Sequence, residues 1–319
     1  MTASAEAAGA ARAAGLRVPD FFIVGHHKSG TTALYEMLRR HPQVFMPELK
    51  ETRFFDRELH PGLTPGEHPD SLPDYLALFA AAGPGQLAGE ASPGYLRSHS
   101  AARRIAEVAP EARIIAILRE PASFLRSMHM ELLKDHVETE KDLRKAIARE
   151  RAIADRKPVL WYADERLEYV EQLRRYHAVF PREQVLVLIY DDFRADNSGT
   201  LRRVLRFLDL DEAGAPEPVE SNLTVRVRSP RAYELVRSLY LGRGPVAAAA
   251  KAAIKTLTPK RLREDGLNAL RTRVLYGKPA PPDEELMLEL RRRLEGEVAA
   301  LSEYLDRDLV SLWGYDRLG

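Results

Sequence analysis

With 319 residues, 45% of them hydrophobic and 30% charged, the chain is long enough to bury a sizeable core and has the composition of an ordinary globular protein. A formal net charge of +1 supplies no global field for a nucleic-acid backbone, so nucleic acid is not an expected partner. The absence of cysteine excludes disulfides, thiolate nucleophiles and cysteine metal sites, and it suits a reducing, cytoplasmic location.

Residues 1–18 are Ala-rich with few large apolar groups, and they read as a disordered leader. They lack the apolar core of a signal peptide, and no 18-residue apolar run occurs in the sequence, so no transmembrane segment is expected. Phe21 to Val24 form a short apolar run, the pattern of a buried parallel strand. Gly25 breaks it, Gly30 follows, and Thr31 and Thr32 open a helix with Ala33, Leu34, Met37 and Leu38 on one face. A strand, a glycine-bounded loop and a helix make an anion cradle: backbone N–H groups converge, and the helix N-terminus adds a partial positive charge. Lys28 can place an ammonium on a bound phosphate, and Ser29, Thr31 and Thr32 bring hydroxyl donors.

A Walker A loop puts Lys directly after the second Gly. Here Thr31 holds that place, and Lys28 comes two residues before Gly30. This suits a single 5′-phosphate bearing a transferable group better than a nucleoside triphosphate. Further on, Pro42 ends the first helix, Val44 to Met46 read as a second short strand, and Lys50, Glu51, Phe54 and Phe55 follow.

The stretches HKSGTTAL and LRRHPQVFMPELKETRFFD resemble the phosphosulfate loop and the Lys-Glu…Phe-Phe segment of sulfotransferases that use 3′-phosphoadenosine 5′-phosphosulfate. The nearest flavour is the heparan-sulfate and bacterial carbohydrate branch. The resemblance implies that Lys28, Ser29, Gly30, Thr31 and Thr32 hold the donor's 5′-phosphosulfate. It also implies that Glu51 is the general base for an acceptor hydroxyl. A neutral alcohol attacks sulfur poorly, so a positioned carboxylate fits the chemistry. His26 and His27 are competing bases, because other branches of the family use histidine.

The loop HPGLTPGEHPD holds His60, Glu67 and His68 at a spacing that matches no defensible metal site, so it reads as solvated. Leu72 to Ala82 read as a helix. GEASPGYL, from Gly89 to Leu96, resembles a second family segment, but Ala91 stands where heparan-type enzymes carry Lys, with Arg97 a candidate replacement. Thr32 likewise stands where those enzymes often carry Arg. Ala101 to Ala109 read as a helix with Ile105 and Val108 inward. Ala112 to Leu118 form the clearest central strand, and Arg119 sits at its carboxyl end, where open parallel sheets bind ligands. LREPASFLRSMH resembles the family's 3′-phosphate segment, with Arg119 and Ser127 as the matching residues. An Arg clamps a dianion with paired N–H donors.

Glu131 to Lys157 read as a polar, helical, solvated face, with His129, Lys134 and His136 as candidate acceptor-side residues. Leu160 to Phe180 read as one amphipathic helix with Leu167, Val170, Leu173 and Tyr176 as its stripe. Gln184 to Tyr190 form another strand, followed by Asp191 and Asp192, which are either turn acids or the Mg²⁺ ligands of a kinase. Thr200 to Leu208 read as a helix. In the basic loop SNLTVRVRSPR, Arg228 is a candidate donor contact. Residues 241–282 are a candidate lid or surface insertion, with Lys251, Lys255, Lys260 and Arg261 able to face anionic lipid. Glu284 to Tyr304 read as the final helix.

The expected architecture is a single α/β domain over residues 19–319, P-loop-containing, with a mostly parallel sheet flanked by helices. The resemblance implies sulfuryl transfer from 3′-phosphoadenosine 5′-phosphosulfate to a hydroxyl of a carbohydrate, lipid or natural-product acceptor, with no metal required. Two alternatives stay open: a small-molecule kinase using Mg-ATP, and a nucleotide-binding or membrane-surface module without chemistry.

Overall fold

In the computed structural model, the described residues are 15–214 apart from 61, 64–65, 136 and 155–159, together with 226–227, 276–277 and 281–318. Arg228, His136, most of the 241–282 segment including Lys251, Lys255, Lys260 and Arg261, and all but the end of the leader lie outside them.

The centre is a five-stranded sheet, β1 (Phe21–Gly25), β2 (Val44–Phe45), β3 (Leu87–Ala91), β4 (Arg113–Leu118) and β5 (Val185–Ile189), in the spatial order β2-β3-β1-β4-β5. All four pairings are parallel, with Ile23 beside both Ala91 and Ile115, and Gly25 beside Ile117. The expected α/β architecture is what the chain forms. The apolar strand runs are continuous because both sheet faces are covered. Phe21, Ile23, Ile115 and Ile117 join Leu34, Met37 and Leu38 of α1 (Thr31–Arg39) in one cluster. On alternate positions Phe22, Val24, Ile114 and Ala116 are equally buried, and the Phe22 ring meets Phe55 edge-on at 6.0 Å.

The helices that follow are α2 (Leu72–Ala77), α3 (Ala101–Val108), α4 (Pro121–Lys134), α5 (Leu143–Ala152), α6 (Tyr169–His177), α7 (Tyr190–Ala195), α8 (Asn197–Phe207), α9 (Glu284–Tyr304) and α10 (Leu309–Leu312). Several bounds differ from the sequence expectation. α2 stops at Ala77, and Leu78 to Ala82 continue as hydrogen-bonded turns. The charged stretch from Glu131 to Lys157 is broken between Lys134 and Leu143, where Asp142 caps α5 through the Lys145 N–H. The helix expected from Leu160 begins only at Tyr169, because the Glu150 carboxylate takes the Trp161 and Tyr162 N–H groups at 2.8 and 2.5 Å and holds that segment out of helix. Its stripe of Leu167, Val170, Leu173 and Tyr176 is buried as expected.

The chain divides into two compact units, Met1–Met128 with Asp142–Asn222 and Glu284–Gly319, and His129–Lys141 with Leu223–Asp283. The first holds the sheet. In the second, β6 (Arg226–Val227) and β7 (Tyr276–Gly277) pair antiparallel. His129 and Lys134 belong to this second unit. No helix among the described residues is long and apolar enough to cross a membrane.

Candidate active site

The carboxyl ends of β1, β3, β4 and β5 carry the chemically interesting residues, all within the sheet-bearing unit. The loop after β1 begins at Gly25, whose φ of 146° and close approach to Ile117 leave no room for a side chain: a Cβ would lie 2.4 Å from the Ile117 carbonyl oxygen. His26 N–H continues the ladder by donating to that same oxygen at 3.1 Å. Lys28 then takes a left-handed φ of 64°, and Gly30 one of 89° with the Phe193 ring only 2.9 Å from where a Cβ would sit. These turns aim the chain into α1, whose N-cap Gly30 offers no side chain to its first N–H groups and whose first turn has no acid. Ser29 is fully buried, and its hydroxyl oxygen has no hydrogen-bond partner among the described residues. Thr31 is buried and Thr32 partly exposed. An uncapped nine-residue helix start, an unpaired buried hydroxyl and Lys28 fit a phosphate or sulfate group.

Arg119, following β4, reaches back to this loop: its Nη1 donates to the Lys28 carbonyl at 2.6 Å. Its guanidinium lies 4.6 Å over the Tyr190 ring, and Tyr169 OH donates to its carbonyl at 3.0 Å. Ser127 is buried two turns into α4, on the helix that Arg119 and Glu120 lead into. The structure therefore joins Lys28 and Arg119 directly.

Glu51 lies on the loop after β2 at a φ of 60°, and Arg53 at 54°, while the Glu51 N–H donates to Ala91 at the end of β3 (3.1 Å). Lys50 Nζ pairs with Glu51 Oε1 at 2.6 Å, and both side chains are partly exposed. Burial favours the neutral acid, but the charges of Lys50, His27 and Arg53 outweigh it and hold the Glu51 carboxyl below its ordinary value. Beneath this loop, buried Glu90 accepts from Thr52, Ser92 and Tyr75 hydroxyls at 2.8, 2.6 and 2.5 Å, and Tyr95 OH receives the Phe54 N–H at 3.1 Å. The Lys-Glu pair thus rests on a satisfied polar base.

The two histidines differ. His26 is buried, with Nε2 3.0 Å from the side-chain amide oxygen of Gln172 and its ring 4.0 Å from that of Tyr169. Burial, opposed by Gln172, pushes its pKa down to about 3. This places His26 in the packing between β1 and α6. His27 is partly exposed; burial, opposed by Glu51 and reinforced by Arg166 and Arg97, pushes it down to about 4. His27 is thus electrostatically joined to Glu51.

Asp191 and Asp192 sit in the first turn of α7 and are already engaged. Trp313 Nε1 donates to Asp191 Oδ2 at 2.9 Å, and Arg307 Nη1 pairs with Asp192 Oδ2 at 2.6 Å. His60 bonds Asp56 at 3.2 Å.

The family model for a sulfotransferase domain matches residues 18–229. The chain belongs to the family of sulfotransferases that depend on 3′-phosphoadenosine 5′-phosphosulfate. It is 30% identical over 194 residues to heparan sulfate glucosamine 3-O-sulfotransferase 3B1 of Mus musculus, covering 61% of this chain and 47% of that protein. It is 31% identical over 201 residues to heparan sulfate glucosamine 3-O-sulfotransferase 6 of Homo sapiens, covering 61% and 53%. The chain spans about half the length of these curated relatives. A solved sulfotransferase from Alicyclobacillus acidocaldarius is similar at 30% identity and a TM-score of 0.58, covering 77% of this chain and 99% of that one.

Sequence reasoning passed over three residues of this candidate site. Tyr190, expected as the last residue of a strand, instead opens α7 directly after β5, and its ring lies under the Arg119 guanidinium. Tyr169 and Gln172 sit on an amphipathic helix and gave no signal beyond a core stripe.

Proposed function

We propose that the chain transfers a sulfuryl group from 3′-phosphoadenosine 5′-phosphosulfate to an acceptor hydroxyl, with Glu51 as general base. The observation that carries this reading is that the Lys28 loop, Glu51 and Arg119 lie at the carboxyl end of the sheet, with Arg119 bonded to Lys28. The residues fit the donor: the loop from Lys28 to Thr32 meets the 5′-phosphosulfate, and Arg119 with Ser127 meets the 3′-phosphate. The acceptor oxygen attacks sulfur in line as its proton passes to Glu51. The bond from sulfur to the 5′-phosphate oxygen breaks, and 3′-phosphoadenosine 5′-phosphate leaves. Lys28 and the loop N–H groups stabilise the charge that grows on the leaving phosphate.

The relatives' names point to a glycan acceptor, while Ala91 and Thr32 depart from the heparan pattern, so the acceptor class is a hydroxyl of a carbohydrate, lipid or natural product. The bonds from Trp313 and Arg307 to Asp191 and Asp192 favour a structural role for these acids over the metal ligation that a Mg-ATP kinase would need. Incubation with sulfur-labelled donor and an acceptor panel tests the reading. Labelled product with the parent chain, and almost none with Glu51→Gln, supports it. Equal transfer by both removes Glu51 from the role of base.

A further inference from the structure

We propose that the C-terminal segment from Arg307 to Tyr315 is a clasp that positions the 3′-phosphate subsite. It does so by holding the residues next to Arg119 and its aromatic platform. The segment lies beyond the 18–229 family match, and the proposal rests on the reading of Arg119 and Ser127 given above.

Tyr315 OH donates to Glu120 Oε1 at 2.7 Å, and both residues are buried. The same carboxylate accepts the Ala122 and Ser123 N–H groups at 3.1 and 2.7 Å, capping the first turn of α4. Glu120 therefore joins the phenol to the helix that carries Ser127, and it directly follows Arg119. Burial, together with the neighbouring Glu120 charge, keeps the Tyr315 phenol far above its ordinary pKa, so it stays a donor.

The same segment reaches the next strand end. Trp313 Nε1 holds Asp191 at 2.9 Å, and Arg307 holds Asp192 by two contacts of 2.6 and 2.7 Å. These acids directly follow Tyr190, whose ring carries the Arg119 guanidinium. Gly314, at a φ of 74°, turns the chain between Trp313 and Tyr315, so that the two side chains reach the ends of different strands. Arg119 is thus fixed from both sides: through Glu120 in its own chain, and through Tyr190 beneath its guanidinium. Without the clasp, a buried carboxylate loses a donor and the platform loses its anchor.

The test is calorimetric titration of the full chain and of Tyr315→Phe and Trp313→Phe. Each is titrated with adenosine 3′,5′-bisphosphate and with adenosine 5′-phosphate, which lacks only the 3′-phosphate. Each variant is expected to lose about ten-fold in affinity for the bisphosphate, the scale of one buried hydrogen bond to a charged group, and less than about two-fold for the monophosphate. A merely structural contact would weaken both nucleotides alike or neither, and either result overturns the proposal. Arg307→Lys supplies a third variant if an aromatic replacement fails to fold, and the same loss of preference is required of it. A parent chain without any preference for the bisphosphate would instead overturn the underlying reading of Arg119 and Ser127.

Discussion

Glu51 and Lys28 are both held in left-handed backbone, at φ values of 60° and 64°, where a side chain crowds its own carbonyl. Each costs on the order of 1–2 kcal/mol, and such residues persist only where their surroundings over-determine them. Here the surroundings are the Arg119 bond to the Lys28 carbonyl and the Glu51 N–H bond to Ala91. Glu51→Gln keeps the shape and these backbone bonds but cannot accept a proton. It is expected to retain donor affinity and lose roughly 10²–10⁴-fold in turnover, measured as initial rates at saturating donor. Because Lys50 and His27 hold the Glu51 carboxyl below its ordinary value of 4.5, Glu51 stays ionised through neutral pH, as the proposed role of base requires. The acid limb of kcat/KM should then lie below about 4.5; His27, pushed down to about 4, would give a limb in the same range, so the comparison of Glu51→Gln with His27→Asn, and not the pH profile, separates the two bases.

His26 yields a stability prediction with a definite sign. Its folded pKa of about 3 lies below the ordinary 6.5, so the unfolded chain binds the extra proton between those values. The neutral ring's contribution is complete above 6.5 and is lost as pH falls toward about 3, with a slope of at most about 1.4 kcal/mol per pH unit. Urea unfolding at a series of pH values should show this slope flattened in His26→Gln.

At the scale of elements, the turn from β1 into α1 sets where the anion cradle points. Gly30 combines a φ of 89° with the Phe193 ring against its α-carbon. Gly30→Ala is expected to cost about 1–3 kcal/mol in urea unfolding and to weaken binding of adenosine 3′,5′-bisphosphate, because strain and displaced Phe193 both move the loop. An unchanged titration would show that the loop tolerates a shifted turn. This turn was legible because its signals are local: an apolar run, two glycines and a helix face. The late start of α6 was not, since it depends on Glu150 reaching eleven and twelve residues ahead to Trp161 and Tyr162. The break after Lys134 had local signals that the charged run masked: Val137 and Thr139 are weaker helix formers, and Asp142 is a capping residue that accepts the Lys145 N–H.

For the whole molecule, the parallel sheet brings residues from distant parts of the sequence to its carboxyl end: Lys28 after β1, Glu51 beside the end of β3, Arg119 after β4 and Tyr190 after β5. Strands β1, β2, β4 and β5 could be read from their apolar runs, Lys28 and Arg119 from a glycine-bounded loop and a strand-end charge, and Glu51 from the family resemblance; β3, whose run is broken by Gly89 and Glu90, was not read as a strand. The contacts that tie these residues together could not be read, since Arg119 meets Lys28 across 91 positions and Tyr315 meets Glu120 across 195. A ligand that binds only the folded carboxyl end of the sheet stabilises it by mass action, about 2.7 kcal/mol at a hundred times Kd, so donor product should raise the unfolding midpoint.

The central claim is that this end of the sheet binds a 3′-phosphorylated adenosine nucleotide without a metal. The most direct test is calorimetric titration with adenosine 3′,5′-bisphosphate against ADP, each with and without Mg²⁺, on the parent chain and on Arg119→Ala. Tight, metal-independent binding of the bisphosphate, lost in Arg119→Ala, is expected. Preference for Mg²⁺-bound ADP, or indifference to the 3′-phosphate, would contradict the claim.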